Sequence, residues 1–288
     1  MALSKFLDPK NNYAFRRIFG TEQNRDILIH FLNDVLNLTG EAKIKDVKFL
    51  NPIRNPEIAA KKESIVDVLC RDSKGIQTIV EMQVARTTGF EKRAQFYAAG
   101  AYFSQAGIGD KYHELKEVIF IAITDFILFP HKSAYKSDHV TLDKITHEHD
   151  LKDFSYTFIE LPKFPKTKED QLENMVEKWC YFFKYASETS EGDLQKIIGS
   201  DVIIGKAYNE LVEYNWSDDE RAMYKWVKKN EDDNVSCIKQ SRIEGKIEGK
   251  IEGKIEVAKN LLKAGISVDL IAESTGLPID EIEKLKSN

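Results

Sequence analysis

The sequence predicts an α/β fold with an αβββαβ core, and three observations carry it. A hairpin over 64–86 holds two carboxylates among apolar strand residues, an Ala-rich helical pattern follows, and a buried strand comes next at 118–123. The hairpin arms are Ile65, Val66, Val68, Leu69 and Cys70 against Ile79, Val80, Met82 and Val84, side chains that favour a pleated, covered surface. Between them lies Asp72-Ser73-Lys74-Gly75. A three-residue loop takes a type I turn followed by a residue of positive φ, a place that suits Gly75. Asp72 then opposes Ile76, and stepping back along both arms brings Asp67 opposite Glu81, with Cβ atoms about 4.5–5.5 Å apart. Gln83 follows on the same face. A two-residue turn would instead send Glu81 to the other face.

Two carboxylates that close repel, and burying either without a partner is costly, so such a site raises a pKa or holds a cation. A hard divalent ion suits oxygen donors. Mg²⁺ takes one or two protein carboxylates and fills its other positions with water and phosphate oxygens. Held there, it activates water and neutralises charge building on a phosphate. The plainer alternative is an ordinary hairpin whose acids reach solvent at an edge or pair with Arg or Lys.

After the second arm, Thr88-Gly89-Phe90-Glu91 has the S/T-x-x-E form of a helix-opening capping box. Phe90, Ala94, Tyr97, Ala98 and Ala101 then recur at helical spacing, small enough to let the helix lie close on a sheet, with its end expected near Gly107 and Gly109. The segment 116–124, KEVIFIAIT, reads as a strand covered on both faces, as in a parallel or mixed sheet.

Taken together, Asp67, Glu81-x-Gln83 and a following helix with Arg93 and Tyr97 resemble the PD-(D/E)XK nuclease superfamily, and within it the recombination-promoting nucleases or PD-(D/E)XK family transposases. The segment LDPKNNYAFRRIFG at 7–20 is similar to that branch's amino-terminal signature, as are VEMQ at 80–83, ELPKF at 160–164 and the repeated IEGK tail. The resemblance implies a restriction-endonuclease-like core and a Mg²⁺-dependent (or Mn²⁺-dependent) DNA endonuclease tied to recombination or mobile elements. It makes Asp67 and Glu81 metal ligands, with the Met82 carbonyl a third, and puts Gln83 where the superfamily usually has lysine, a position at which this branch often has Gln, so the departure does not exclude activity. A neutral amide orients water but brings no charge, so Lys92 or Arg93 on the following helix, and Arg93 in preference, is the expected source of the missing positive charge. Asn12 stands where relatives frequently have Asp. These two departures keep open a second reading, a catalytically weakened DNA-binding or regulatory protein on the same fold.

The charge is uneven. The formal total is −5; of 42 basic and 47 acidic residues, 18 and 16 fall in 1–130 and 24 and 31 beyond it. Phosphate affinity depends on local cations, and Lys10, Arg16, Arg17, Lys61, Lys62, Arg86 and Lys92 are the candidates for DNA contact. Three cysteines without metal-ligand spacing, no apolar run of membrane length and no basic-plus-apolar leader fit a cytoplasmic protein.

The expected organisation is a nuclease-like domain over 1–165, a helical region over 166–236 and a tail over 237–288. His131, His139, His147 and His149 match no compact metal site and read as an exposed polar hairpin. Leu172, Met175, Val176, Trp179, Phe182 and Phe183 form a helical stripe, with Ala207, Leu211, Tyr224 and Val227 continuing the packing. The polar run 230–234 reads as a linker. Beyond it stand three copies of Ile-Glu-Gly-Lys at 243–254. On a helix these stack Ile on Ile, at about 1 kcal/mol for each Gly relative to Ala, so the segment is expected either to associate with another copy or partner or to be a mobile tether. Gly265, Ser267 and Gly276 then punctuate a small helix-turn-helix-like unit. Its last helix is acidic, so it is expected to meet protein in preference to DNA.

Overall fold

In the computed structural model, which describes residues 5–51, 66–107, 111–199 and 201–286, the β-branched runs form one six-stranded mixed sheet. The helices α1 (Asn12–Phe19) and α2 (Arg25–Val35) precede β1 (Val47–Phe49), β2 (Val68–Asp72) and β3 (Gln77–Gln83). Then come α3 (Phe90–Phe103), β4 (Val118–Thr124), β5 (Lys136–Val140) and β6 (Phe154–Glu160). The rest is helical: α4 (Met175–Tyr185), α5 (Glu191–Ile198), α6 (Val202–Glu210), α7 (Asp218–Lys263), α8 (Val268–Thr275) and α9 (Ile279–Lys286). The strand order is β1-β2-β3-β4-β6-β5. Parallel pairing joins β3, β4 and β6, and antiparallel pairing adds β2 and β1 on one side and β5 on the other. The αβββαβ order expected from the sequence is therefore present, extended by β5 and β6.

Alternation along the strands divides the core. Val68, Cys70, Val80, Met82, Ile121, Ile123 and Ile159 face one side, where they share a core with Phe15 and Phe19 of α1, Phe31 of α2, Trp179, Phe182 and Phe183 of α4, and Tyr208 of α6. The aromatic residues of α4 are thus packing residues. Leu69, Ile79, Phe120, Ala122 and Phe158 face the other side and are covered by Phe90, Ala94, Ala98 and Ala101 of α3. These small side chains bring α3 close to the sheet, as the alanine spacing predicts.

Three local expectations change. The capping box before α3 is not formed: Gly89, at φ +76°, is the N-cap and no side chain caps the helix, because a left-handed residue turns the chain into it instead. That helix ends at Phe103, short of Gly107. The polar run 230–234, where the division between the two compact units falls, is helical and part of α7, since none of its residues is Pro or Gly and nothing there interrupts a helix.

The chain divides into two compact units, Met1–Glu231 and Asp232–Asn288. In the second, Ala258, Ile271, Leu277 and Ile282 make a small core of their own, and Gly276, at φ +65°, closes α8 as expected. Among the described residues no helix is long and apolar enough to cross a membrane.

Candidate active site

The site begins with a turn. Asp72 N–H donates to Ile76 O at 3.0 Å, and Asp72 Oδ1 accepts from the backbone N–H groups of Lys74 and Ile76 at 2.9 Å each. Gly75 has φ +90°, the left-handed residue that a three-residue loop requires. From this turn the register runs Arg71 with Gln77, Leu69 with Ile79 and Val68 with Val80, so the next step brings Asp67 against Glu81.

Both acids are buried and bonded to each other's strand. Met82 N–H donates to Asp67 Oδ2 at 2.9 Å, and Asp67 N–H donates to Glu81 Oε2 at 3.3 Å. The Asp67 side chain is 4 % exposed and that of Glu81 5 %. Burial raises the Asp67 carboxyl above its ordinary value, against the pull of the Met82 N–H and Arg16. For Glu81, burial first and the charge of Asp67 second push the pKa up to about 8. Left to itself Glu81 retains a proton at neutral pH, the condition that a cation relieves.

Two arginines answer the two acids. From α1, Arg16 donates through Nε and Nη2, both at 3.1 Å, to Oδ1 of Asp67. From α3, Arg93 stands with Nη2 3.7 Å from Glu81 Oε1, its guanidinium 4.9 Å from the Phe90 ring centroid. Arg93 Nε and Nη2 are buried yet donate no hydrogen bond to a described residue. Gln83 donates from Nε2 to Glu81 Oε1 and to Met82 O, each at 3.2 Å, so its amide braces the acid and the carbonyl without adding charge. At the same strand end, Asp125 N–H donates to Gln83 O at 2.9 Å.

These donors fit a hard divalent ion. They are all oxygens, and burial together with the charge of Asp67 disfavours the ionised Glu81 until a further cation enters. Among the described residues no group of three or more His, Cys, Asp and Glu gathers. Two carboxylates are nevertheless what Mg²⁺ asks of a protein when water and phosphate complete its shell.

The expected DNA-contacting residues go to different places. Lys10 Nζ pairs with Asp125 Oδ2 at 2.9 Å, and Arg17 turns to Glu210 and Glu220 and lies over Trp216. Arg16 reaches the acids. Arg86 and Lys92 are exposed, and Lys61 and Lys62 lie outside the described residues. Asn12 opens α1, its backbone N–H donating to Glu231 Oε1 at 3.0 Å while its own Oδ1 is buried without a hydrogen-bond partner. Of the histidines, His139 lies 3.0 Å from Ser137 Oγ and packs against Phe129 and Phe158. What the sequence did not signal is the bond from Arg16 to Asp67, since nothing in FRRIF ties a helix arginine to an acid 51 residues away.

A family model described as PD-(D/E)XK nuclease family transposase matches residues 9–241, a span that includes both acids, both arginines and every strand of the sheet. No curated protein and no solved structure matches the chain. Taken with the mixed sheet and the paired acids at the end of its hairpin, the match is decisive: this chain belongs to the PD-(D/E)XK nuclease family transposases.

Proposed function

We propose that the protein is a divalent-metal-dependent DNA endonuclease that hydrolyses phosphodiester bonds in the service of recombination or a mobile element. The observation that carries this reading is the pairing of Asp67 with Glu81, two buried carboxylates at one strand end with an arginine beside each. Asp67, Glu81 and the Met82 carbonyl would hold Mg²⁺ or Mn²⁺, which when bound supplies an activated water and a Lewis acid for the phosphate. The chain's own groups do the rest. Met82 N–H fixes the Asp67 carboxylate, Gln83 orients Glu81, and Arg93 offers guanidinium donors to the charge that develops on phosphate oxygens.

The second reading, a catalytically weakened DNA-binding or regulatory protein, is favoured by one observation: Gln83 spends its amide on Glu81 and Met82 and supplies no positive charge at the position where the wider superfamily usually has lysine. A supercoiled-plasmid nicking assay with Mg²⁺ and Mn²⁺ separates the two. The wild type is expected to nick and Asp67→Ala to lose at least ~10³-fold, with DNA binding retained by both. If neither protein nicks at any metal concentration while both bind DNA equally, the endonuclease reading is wrong.

For the tail we infer association with a second copy of this chain through the repeats. Ile243, Ile247 and Ile251 are 54 %, 55 % and 46 % exposed. Successive helix residues turn by about 100°, so Glu flanks each isoleucine on one side, Lys on the other, and Gly lies behind. Two such helices side by side and parallel set the Lys flank of one against the Glu flank of the other along both seams. Antiparallel helices would oppose like charges.

A further inference from the structure

We propose that Arg16 is a resident counter-cation, one that competes with a divalent ion for Oδ1 of Asp67 and, once displaced, binds a phosphate of the DNA strand. This rests on the endonuclease reading above. The two oxygens of Asp67 are held differently. Oδ2 accepts the Met82 N–H, a donor fixed in the sheet, whereas Oδ1 is held by Nε and Nη2 of Arg16 alone among the described residues. A cation entering the site therefore meets Arg16 at the one oxygen that a side chain can give up.

The exposures make the exchange one-sided. The Asp67 side chain is 4 % exposed and that of Arg16 43 %, so the acid stays while the arginine is free to swing toward solvent. Its backbone does not follow. The helix α1 is anchored by Ala14, Phe15, Ile18 and Phe19, all buried, and by Arg17 in its own ion pairs. A released guanidinium thus stays tethered at the site, and its planar fork suits a phosphate.

The count of charge gives the exchange its direction. With both acids ionised, as a bound cation requires, Asp67, Glu81, Arg16 and Arg93 together are neutral, so a divalent ion added to the four leaves an excess of two positive charges. Two neighbouring DNA phosphates, one negative charge each, balance that excess, and metal and DNA should then strengthen each other's binding. Arg93 differs from Arg16. It already stands 3.7 Å off Glu81 with unpartnered donors, and no bond has to break before it acts.

The test is calorimetric titration of full-length protein with Mn²⁺ in the absence of DNA, for wild type, Arg16→Gln and Arg16→Lys, with folding checked by circular dichroism. Arg16→Gln removes the competing charge and is expected to bind Mn²⁺ on the order of tenfold more tightly, yet to nick plasmid about 10²-fold more slowly. Arg16→Lys keeps the charge without the fork, so it should bind Mn²⁺ nearly as the wild type does and cut poorly. If folded Arg16→Gln binds Mn²⁺ no tighter than wild type, Arg16 merely supports Asp67 and the inference fails while the endonuclease reading stands. If wild type binds no Mn²⁺ and nicks nothing, both fail together.

Discussion

Two regions of this chain invert the usual arrangement of apolar inside and charged outside, in opposite senses. At the end of the β2–β3 hairpin, Asp67 and Glu81 are charges almost wholly withdrawn from water. Along α7, Ile243, Ile247 and Ile251 are aliphatic side chains about half in water. Neither is stable chemistry in isolation: a buried carboxylate costs free energy without a counter-charge, and a half-exposed isoleucine forgoes half of the ~1.5–3 kcal/mol that full burial gives. On the proposed function, each inversion is a surface that takes its complement from outside the chain. For the acids the proposed complement is a cation and then an anion; for the isoleucines it is another apolar stripe. The first site is held by a sheet and two arginines before any ligand arrives, whereas the second is held only by its own helix.

The largest effect should come from taking the charge out of the first region. Glu81 has its folded pKa raised from 4.5 to about 8, so the protonated form favours the folded chain. That contribution is full below the unfolded value and is lost as pH rises through about 8. In metal-free buffer the wild type is therefore expected to lose up to a few kcal/mol between about pH 5 and pH 9. Glu81→Gln, which has nothing to ionise, should melt with a flatter pH profile while losing nicking activity altogether. Excess Mg²⁺ should restore the wild type at high pH, because a bound cation stabilises the ionised pair. Identical pH profiles for the two proteins would mean that Glu81 is not the strained group.

The second region is expected to respond to charge added instead of removed. Ile247→Asp together with Ile251→Asp should convert an associated species to monomer in sedimentation equilibrium, weakening association by ~10²-fold or more. The melting of the first unit should not change. A wild type that sediments as a monomer at every concentration tested would remove the reason for the exposed stripe.

How much of this was legible in the sequence follows from the range of the forces involved. The hairpin register was readable because it is local: Gly75 fixes the turn, the turn fixes the pairing, and Asp67 meets Glu81 with no long-range information. The same holds for α3, whose alanines set how close it lies to Phe120 and Ala122. Sequence reasoning stopped where partners are distant. Arg16 and Arg17 are neighbours of one type, yet one ends on Asp67 and the other between Glu210, Glu220 and Trp216. Lys10 was expected at a phosphate and is paired with Asp125. Which way a helix arginine points is decided by tertiary packing. At 230–234, polar composition marked the place where the two compact units divide, but composition without Gly or Pro does not stop a helix.

A smaller change sharpens the second half of the comparison. Gly249 lies behind the isoleucine stripe, with open space where a Cβ would stand. Gly249→Ala is expected to raise helix stability by about 1 kcal/mol, seen as a higher midpoint for the carboxy-terminal transition in circular dichroism, and to leave association unchanged. If association weakens instead, the second helix approaches on the glycine side and the pairing through isoleucine is mistaken.

The smallest effects belong to cations that satisfy no buried partner. Arg86 and Lys92 are exposed near the start of α3, so their share in DNA binding should be purely electrostatic. Removing either as Arg86→Ala or Lys92→Ala should lower the slope of log affinity against log salt by about 0.9, the release of one counterion per phosphate contact. Arg17→Ala should leave that slope as it was, because Arg17 is spent on Glu210 and Glu220, and should cost folding stability instead. The contrast needs only fluorescence anisotropy with a short duplex at several salt concentrations. Should Arg17→Ala reduce the slope as much as Lys92→Ala does, its ion pairs open on DNA, and the partition of this helix into a site-facing arginine and a packing arginine collapses.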